Sequence, residues 1–261
     1  MDIELKNYSY GRPDASPTDD NKIVAIGSLL SYDVIHSKSI VWGTGTLTRR
    51  AVRKYPRLFP LNRSLPIIFN RLVHNRPPQS TILAVRGPIT RQLLQDQNIS
   101  CPEVYGDPAI VLPRYYKPEI SNKHIVGLIL HHSQEHLLDN IDLTSLGIHL
   151  ISIKRCNEKE IEQFINEVNS CEKILSSSLH GLIVAQAYNI PAQWIQLRGS
   201  PIHSDESHKF YDYFLGANQR IQTPLQVSIN PKELKELLNA PIPTSEIEES
   251  IIDRLLESLT I

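Results

Sequence analysis

The chain has 261 residues, 41% hydrophobic and 21% charged, with a formal net charge of −1; this is a globular make-up for one large or two modest domains, without a bias towards nucleic acid. Cys101, Cys156 and Cys171 are odd in number and lack metal-ligand spacing, which suits a reducing compartment. No apolar run reaches the roughly 20 residues of a membrane span, and Met1-Asp2-Ile3-Glu4 lacks the basic-then-apolar order of a signal peptide, so the expectation is a cytoplasmic protein.

Residues 1–21 are polar, with Gly11, Pro13 and Pro17, and read as irregular. Lys22-Ile23-Val24-Ala25-Ile26-Gly27 and Ser39-Ile40-Val41-Trp42-Gly43 are short apolar runs closed by glycine, the pattern of buried parallel strands. The second runs on as Gly43-Thr44-Gly45-Thr46, a turn open to close approach by a ligand, although most such turns bind nothing. From Asp33 to Asp96 no acidic residue intervenes, while Lys38, Arg49, Arg50, Arg53, Lys54, Arg57, Arg63, Arg71, Arg76, Arg86 and Arg91 all occur. Such segregation in a near-neutral chain predicts a face that attracts anions, the alternative being a solvated basic loop. Prolines at 56, 60, 66, 77 and 78 break up residues 55–80, so 46–80 reads as a long basic excursion.

Thr81 to Val85 predicts another buried strand, which ends in Arg86-Gly87-Pro88 and leads into a helix over 89–94. Proline is tolerated in a first helical turn because its missing N–H is an orphan there. Arg86 thus precedes a helix N-terminus, where its five-donor fork suits a carboxylate or phosphate; bracing the turn is the alternative. Glu103 to Ala109 reads as a strand and turn in which Asp107 caps the short segment that follows.

Residues 113–123 read as a linker, and the second half repeats the grammar. Strands are expected at 125–130, ending in His131-His132, and at 147–153. An amphipathic helix over 157–169 presents Ile161, Phe164, Ile165 and Val168, and a strand at Lys173-Ile174-Leu175 turns through Ser176-Ser177-Ser178-Leu179-His180-Gly181 into a helix reaching Ala187. With Ala192 to Leu197 this makes a βαβαβ unit. Serine hydroxyls suit the N-cap, His180 falls in the first helical turn, and Gly181 lets another group come close. In an open α/β sheet such a corner lies at the carboxyl edge, where ligands bind and helix N-termini favour anions; a plain capped core helix with a surface histidine is the alternative. His131, His132 and His136 lack a nearby carboxylate or cysteine with ligand spacing, so no metal is expected. A short aromatic helix is expected at His208 to Phe214. Two more follow at 231–238 and 245–259, the last capped by Ser245.

Taken in order, Ile40-Val41-Trp42-Gly43-Thr44-Gly45, Ala84-Val85-Arg86-Gly87-Pro88, Tyr105-Gly106-Asp107-Pro108-Ala109, the strand ending in His131, Ser176 to Gly181 with Ala185-Gln186-Ala187-Tyr188, and Lys209-Phe210-Tyr211-Asp212-Tyr213 resemble the polysaccharide pyruvyl transferase family over about residues 22–216. The resemblance implies an α/β fold of two Rossmann-like domains with parallel sheets facing a cleft, as in GT-B glycosyltransferases. On that reading residues 1–115 form the first domain, 122–230 the second and 231–261 a helical tail. It implies transfer of the pyruvyl group of phosphoenolpyruvate onto two hydroxyls of one sugar, leaving a cyclic ketal and free phosphate, with no cofactor. It carries Arg86, His180 and Lys209 over to the phosphoenolpyruvate site, and Gly43, Thr44, Gly45, Gly87, Asp107, His131, Ser177, Ser178, Leu179 and Gly181 to substrate binding.

Phosphoenolpyruvate is anionic at both ends, so separated cations and helix N-termini suit it. In the mechanism expected here His180 protonates the enol carbon or partners the phosphate, Arg86 clamps the carboxylate and Lys209 neutralises the departing phosphate. The partners expected are phosphoenolpyruvate and a sugar or oligosaccharide acceptor, in a surface polysaccharide or its lipid-diphosphate-linked precursor at the inner face of the membrane. The Asn-Phe/Tyr-Gly-Asp turn that usually opens the family is not found before Lys22, where Asn7-Tyr8 and Ser9-Tyr10-Gly11 are a degenerate echo; the expectation is either a lost first βα unit or a truncated version of the family. Alternative readings are a nucleotide-sugar glycosyltransferase, a non-catalytic sugar-binding scaffold, and a serine hydrolase using Ser178 and His180. The last lacks a Gly-x-Ser-x-Gly elbow.

Overall fold

The computed structural model describes residues 22–49, 51–52, 78–120, 123–202, 205, 207–242 and 244–260. The expectations for residues 1–21, and for Arg50, Arg53, Lys54, Arg57, Arg63, Arg71 and Arg76 of the basic excursion, lie outside them.

The protein is mixed α/β with parallel sheets, and its contacts divide it into two units, each drawn from more than one segment. The first contains Asp20–Pro108, Asp205–Asn218 and Glu248–Ile261. Its sheet is β1 (Lys22–Val24), β2 (Ser39–Trp42) and β3 (Thr81–Ala84), in that order and parallel throughout. A parallel bridge between Val85 and Tyr105 extends its carboxyl edge. Around it lie α1 (Tyr32–Ile35), too short to show a period in the sequence, and α2 (Pro88–Gln95). Leu30, Ile35, Val41, Val85, Leu93 and Leu94 are buried together as its core.

The second unit contains Ala109–Ser204 and Gln219–Ile247. It opens with a 3-10 helix over Pro108–Arg114, followed by β4 (His124–Ile129), β5 (Ile148–Leu150), α3 (Glu158–Asn169), β6 (Cys171–Ser176), α4 (Leu179–Ala187) and β7 (Ala192–Leu197). After α5 (Ser207–Gly216), which belongs to the first unit, come β8 (Leu225–Val227) and α6 (Pro231–Glu236). The strands lie in the order β5-β4-β6-β7-β8, all parallel, around a core of Val126, Leu128, Leu130, Leu175, Ile195 and Val227. Within this unit they run second, first, third, fourth, fifth, so the chain reverses its direction of winding between β4 and β6. That reversal opens a crevice at the carboxyl ends of these two strands.

The last helix, α7 (Glu249–Glu257), returns to the first unit, where the buried Trp42 Nε1 donates to the Leu255 carbonyl at 3.0 Å. Its N-cap is Glu248, rather than the expected Ser245. Ser245 lies outside the helix, and its hydroxyl accepts from Gln186 Nε2 at 3.2 Å. Two further differences are local. On α3 Phe164, Ile165 and Val168 are buried as expected, but Ile161 is 42% exposed. Glu103 to Ala109 forms only the single bridge at Tyr105 before the 3-10 helix begins. Helix α4 ends in a Schellman turn: Asn189 takes φ 59°, Ile190 N donates to Ala185 O, and Asn189 N to Gln186 O. Asparagine tolerates this left-handed conformation better than most residues.

Candidate active site

In the second unit the crevice between β4 and β6 is built from the turn that follows each strand. Ser176 folds its hydroxyl back within its own turn, accepting from Ser178 N at 3.1 Å and lying 2.7 Å from Ser178 O. Ser177 Oγ accepts from His131 N at 2.9 Å and donates to Gln134 Oε1 at 2.7 Å, while Ser177 N donates to Ile129 O. The serine run therefore ties the end of β6 to the end of β4. Ser178 occupies the N-cap of α4, but its hydroxyl makes no capping bond, a correction to the capping role expected of these serines.

His180 is half-buried in that first turn, and Leu179 is buried behind it. A Cβ on Gly181 would lie 2.5 Å from Ser176 Oγ and 2.8 Å from Ile129 Cγ2, so only glycine lets α4 start this close to both strands. His131 lies against His132 with the rings tilted by 39° and their centroids 4.1 Å apart, and its Nδ1 is 2.8 Å from Ser133 Oγ. The buried Gln134, which no motif marked, donates to Ser200 O at 2.6 Å and anchors the loop beyond β7. Among the described residues no three His, Cys, Asp or Glu side chains form a group able to hold a metal ion.

In the first unit a second polar cluster forms at the carboxyl edge of β2 and β3. Arg86 is completely buried: Nε donates to Asp212 Oδ2 at 3.2 Å, Nη1 to Ser28 Oγ at 2.7 Å and Nη2 to Thr46 O at 2.9 Å. Asp212 also accepts from Thr90 N at 2.9 Å and from Thr90 Oγ1 at 2.6 Å. Thr90 is the third residue of α2, whose own N-cap is Gly87 and has no side chain to offer. Asp212, from a helix more than a hundred residues away in sequence, therefore caps α2, and its charge suits the positive end of the helix dipole. Thr46 N, 3.3 Å from Thr90 Oγ1, closes a ring of Thr46, Arg86, Asp212 and Thr90, all of them buried, with His208 Nε2 added at 2.7 Å from Thr46 Oγ1.

The glycines expected to receive a ligand are packed against the protein itself. A Cβ on Gly43 would meet Gly106 O and Pro108 Cδ at 2.5 Å, one on Gly45 the Arg86 Cζ at 2.4 Å, and one on Gly87 the Asp212 carbonyl oxygen at 1.8 Å. Thr44 Oγ1 donates to Gly27 O at 2.7 Å. Asp107 is buried and raises the pKa of Tyr213, behind the larger effect of burial. Lys209, on α5 between His208 and Phe210, is 95% buried, with Nζ 5.5 Å from the Phe210 ring centroid. The structure thus brings Arg86, Gly87, Gly45, Thr44, Asp107 and Lys209 into one unit, and His131, Ser177, Ser178, Leu179, His180 and Gly181 into the other. Sequence reasoning missed Asp212, His208, Thr46 and Thr90 as members of the first cluster, although Asp212 stands inside the stretch Lys209-Phe210-Tyr211-Asp212-Tyr213.

Two parallel sheets, one carrying a winding reversal with a serine-histidine corner at its carboxyl edge, define an α/β protein of Rossmann type. The polysaccharide pyruvyl transferase family model matches residues 2–196, three quarters of the chain, and the chain belongs to that family. The match ends before α5, so Lys209 and Asp212 are tied to the family only by the resemblance of their motif. Over 150 residues the chain is also 27% identical to uncharacterized protein L143 of Acanthamoeba polyphaga mimivirus, a match that covers 56% of this chain and 52% of that protein. The chain spans about half the length of this curated relative. Among the described residues no helix is long and apolar enough to cross a membrane.

Proposed function

We propose that this protein transfers the pyruvyl group of phosphoenolpyruvate onto two hydroxyls of a single sugar, within a surface polysaccharide or its lipid-linked precursor, and releases phosphate. Family membership supports the reaction class. The observation that carries the reading to particular atoms is His180, in the first turn of α4 beside a helix N-terminus that has no side-chain cap. An N-terminus of this kind accepts an anion, and phosphoenolpyruvate is anionic at both ends.

In the proposed sequence His180 gives a proton to C3 of the enol, which becomes the methyl group, and C2 turns electrophilic. One sugar hydroxyl adds to C2, the bond from C2 to the phosphate oxygen breaks, and the second hydroxyl closes the ketal. Of the two hydroxyl protons, one replaces the proton given to C3 and the other leaves with phosphate. Lys209 offsets the charge that builds on the departing phosphate. Arg86, with Nε, Nη1 and Nη2 each bonded inside the protein, supplies positive charge and the frame of the corner rather than a free fork. The test is phosphate release from phosphoenolpyruvate across a panel of glycans and lipid-linked sugars. Acceptor-dependent release that falls at least about 10²-fold in His180→Ala is expected; near-normal turnover in that variant would remove His180 from the reaction.

A further inference from the structure

Three residues of α5 at four-residue spacing meet the Arg86 corner. His208 bonds to Thr46, Asp212 bonds to Arg86 and Thr90, and Gly216 lies so close that a Cβ there would be 2.0 Å from the Arg86 carbonyl oxygen. Residues four apart share a helix face, so the helix is held at its start, middle and end along one stripe. At about 100° per residue, Lys209 lies about 60° around the helix from Asp212. Any rotation or slide of α5 would therefore carry the lysine with it. Asp212 is the only charged member of the stripe, and its opposite charge, Arg86, is 3.2 Å away and also fully buried.

We infer that Asp212 is a positioning residue for Lys209: the carboxylate locks α5 in register on Arg86 and the N-terminus of α2, and Arg86 acts through this lock. The inference rests on the proposed transferase reading only for what Lys209 does when it is in place. A lysine displaced by about 1 Å is enough to cost about 10²-fold in rate.

Asp212→Asn keeps the shape and an acceptor for Thr90 while removing the charge. In phosphate-release kinetics it is expected to lower kcat by about 10²-fold with KM for phosphoenolpyruvate nearly unchanged, because the lysine acts on the phosphate charge that develops in the transition state. In a Lys209→Ala background the same substitution is expected to cost nothing further, since a group that acts only through the lysine has nothing left to act on. Additive losses in the double variant would overturn the inference, as would a KM effect without a kcat effect. A readout independent of catalysis separates this from the transferase reading: pulse labelling of lysines with acetic anhydride, followed by mass spectrometry of the intact wild type and of Asp212→Asn. A several-fold change in Lys209 labelling, with the other lysines unmoved, is the expected result even if no phosphate is released. Unchanged Lys209 labelling in a folded variant would contradict the lock. His208→Gln serves as a second variant if Asp212→Asn folds poorly, with the same outcomes assigned.

Discussion

His208 is held below the usual histidine range, first by burial and then by the Arg86 guanidinium, with Asp212 pulling the other way. Its Nδ1 has no hydrogen-bond partner among the described residues. Protonating both ring nitrogens would leave a charged N–H at Nδ1 buried without a partner, so the ring is neutral beside Thr46 Oγ1, 2.7 Å from Nε2. His149, stacked on His124 at 4.1 Å, is lowered as well, by burial and then by the His124 charge. In both cases the folded pKa lies below the free value of 6.5, so the unfolded chain takes up protons first as the pH falls. Stability from these two groups is therefore complete above about 6.5 and declines as the pH drops through that range, until the folded groups protonate in turn. Thermal denaturation in steps between about pH 8 and 5 should show this fall, and His208→Gln should flatten it; an unchanged slope in that variant would mean that His208 titrates freely. The Arg86–Asp212 pair predicts a larger effect. Arg86→Ala removes the ion-pair partner of a buried carboxylate, at a cost of about 3–5 kcal/mol, measurable by urea unfolding.

Among the elements, α5 meets the Arg86-Gly87 turn backbone on backbone. Gly87→Ala and Gly216→Ala should each be severely destabilising, by about 1–3 kcal/mol or more, because no flexible side chain can yield there. Gly199, with φ 76° and open space within 4 Å of where a Cβ would stand, should tolerate alanine at about 1 kcal/mol, a cost in backbone strain alone. Comparing the three melting temperatures tests the distinction. Most of these elements were legible in the sequence, because buried parallel strands such as Val126 to Leu130 read as unbroken apolar runs and α3 keeps a clear 3.6-residue period. Strand β8, Leu225–Val227, was not, since three residues with an exposed leucine and glutamine carry no period. The α7 cap was misread because Ser245 has the chemistry of a cap, while Glu248 acts as N-cap through backbone geometry with no side-chain bond. At the candidate site, Arg86 and His180 could be picked out from the turn and corner they occupy. The use of Asp212 as the cap of α2 was invisible because it depends on a meeting of residues more than a hundred positions apart.

The whole molecule is interleaved: α5 and α7 come late in the chain yet belong to the unit that begins at Asp20. The first unit therefore needs the end of the chain. Removing Glu248–Ile261 takes away the Leu255 carbonyl from Trp42 Nε1 and should shift the fluorescence of that buried tryptophan to the red and lower the melting temperature. An unchanged spectrum would mean that α7 does not cover it. At the same scale the division of candidate residues is plain: His131, His180 and the serine run stand on one unit, and Arg86, Asp212 and Lys209 on the other. The measurement that most directly tests the central claim follows the carbon. Phosphoenolpyruvate labelled with carbon-13 at C2 is incubated with the protein and a glycan panel, and the acceptors are analysed by mass spectrometry and NMR. Label is expected in the acceptor at a ketal carbon, one for each phosphate released; phosphate release with no label in any acceptor, or sugar transfer from a nucleotide sugar in its place, would rule out pyruvyl transfer.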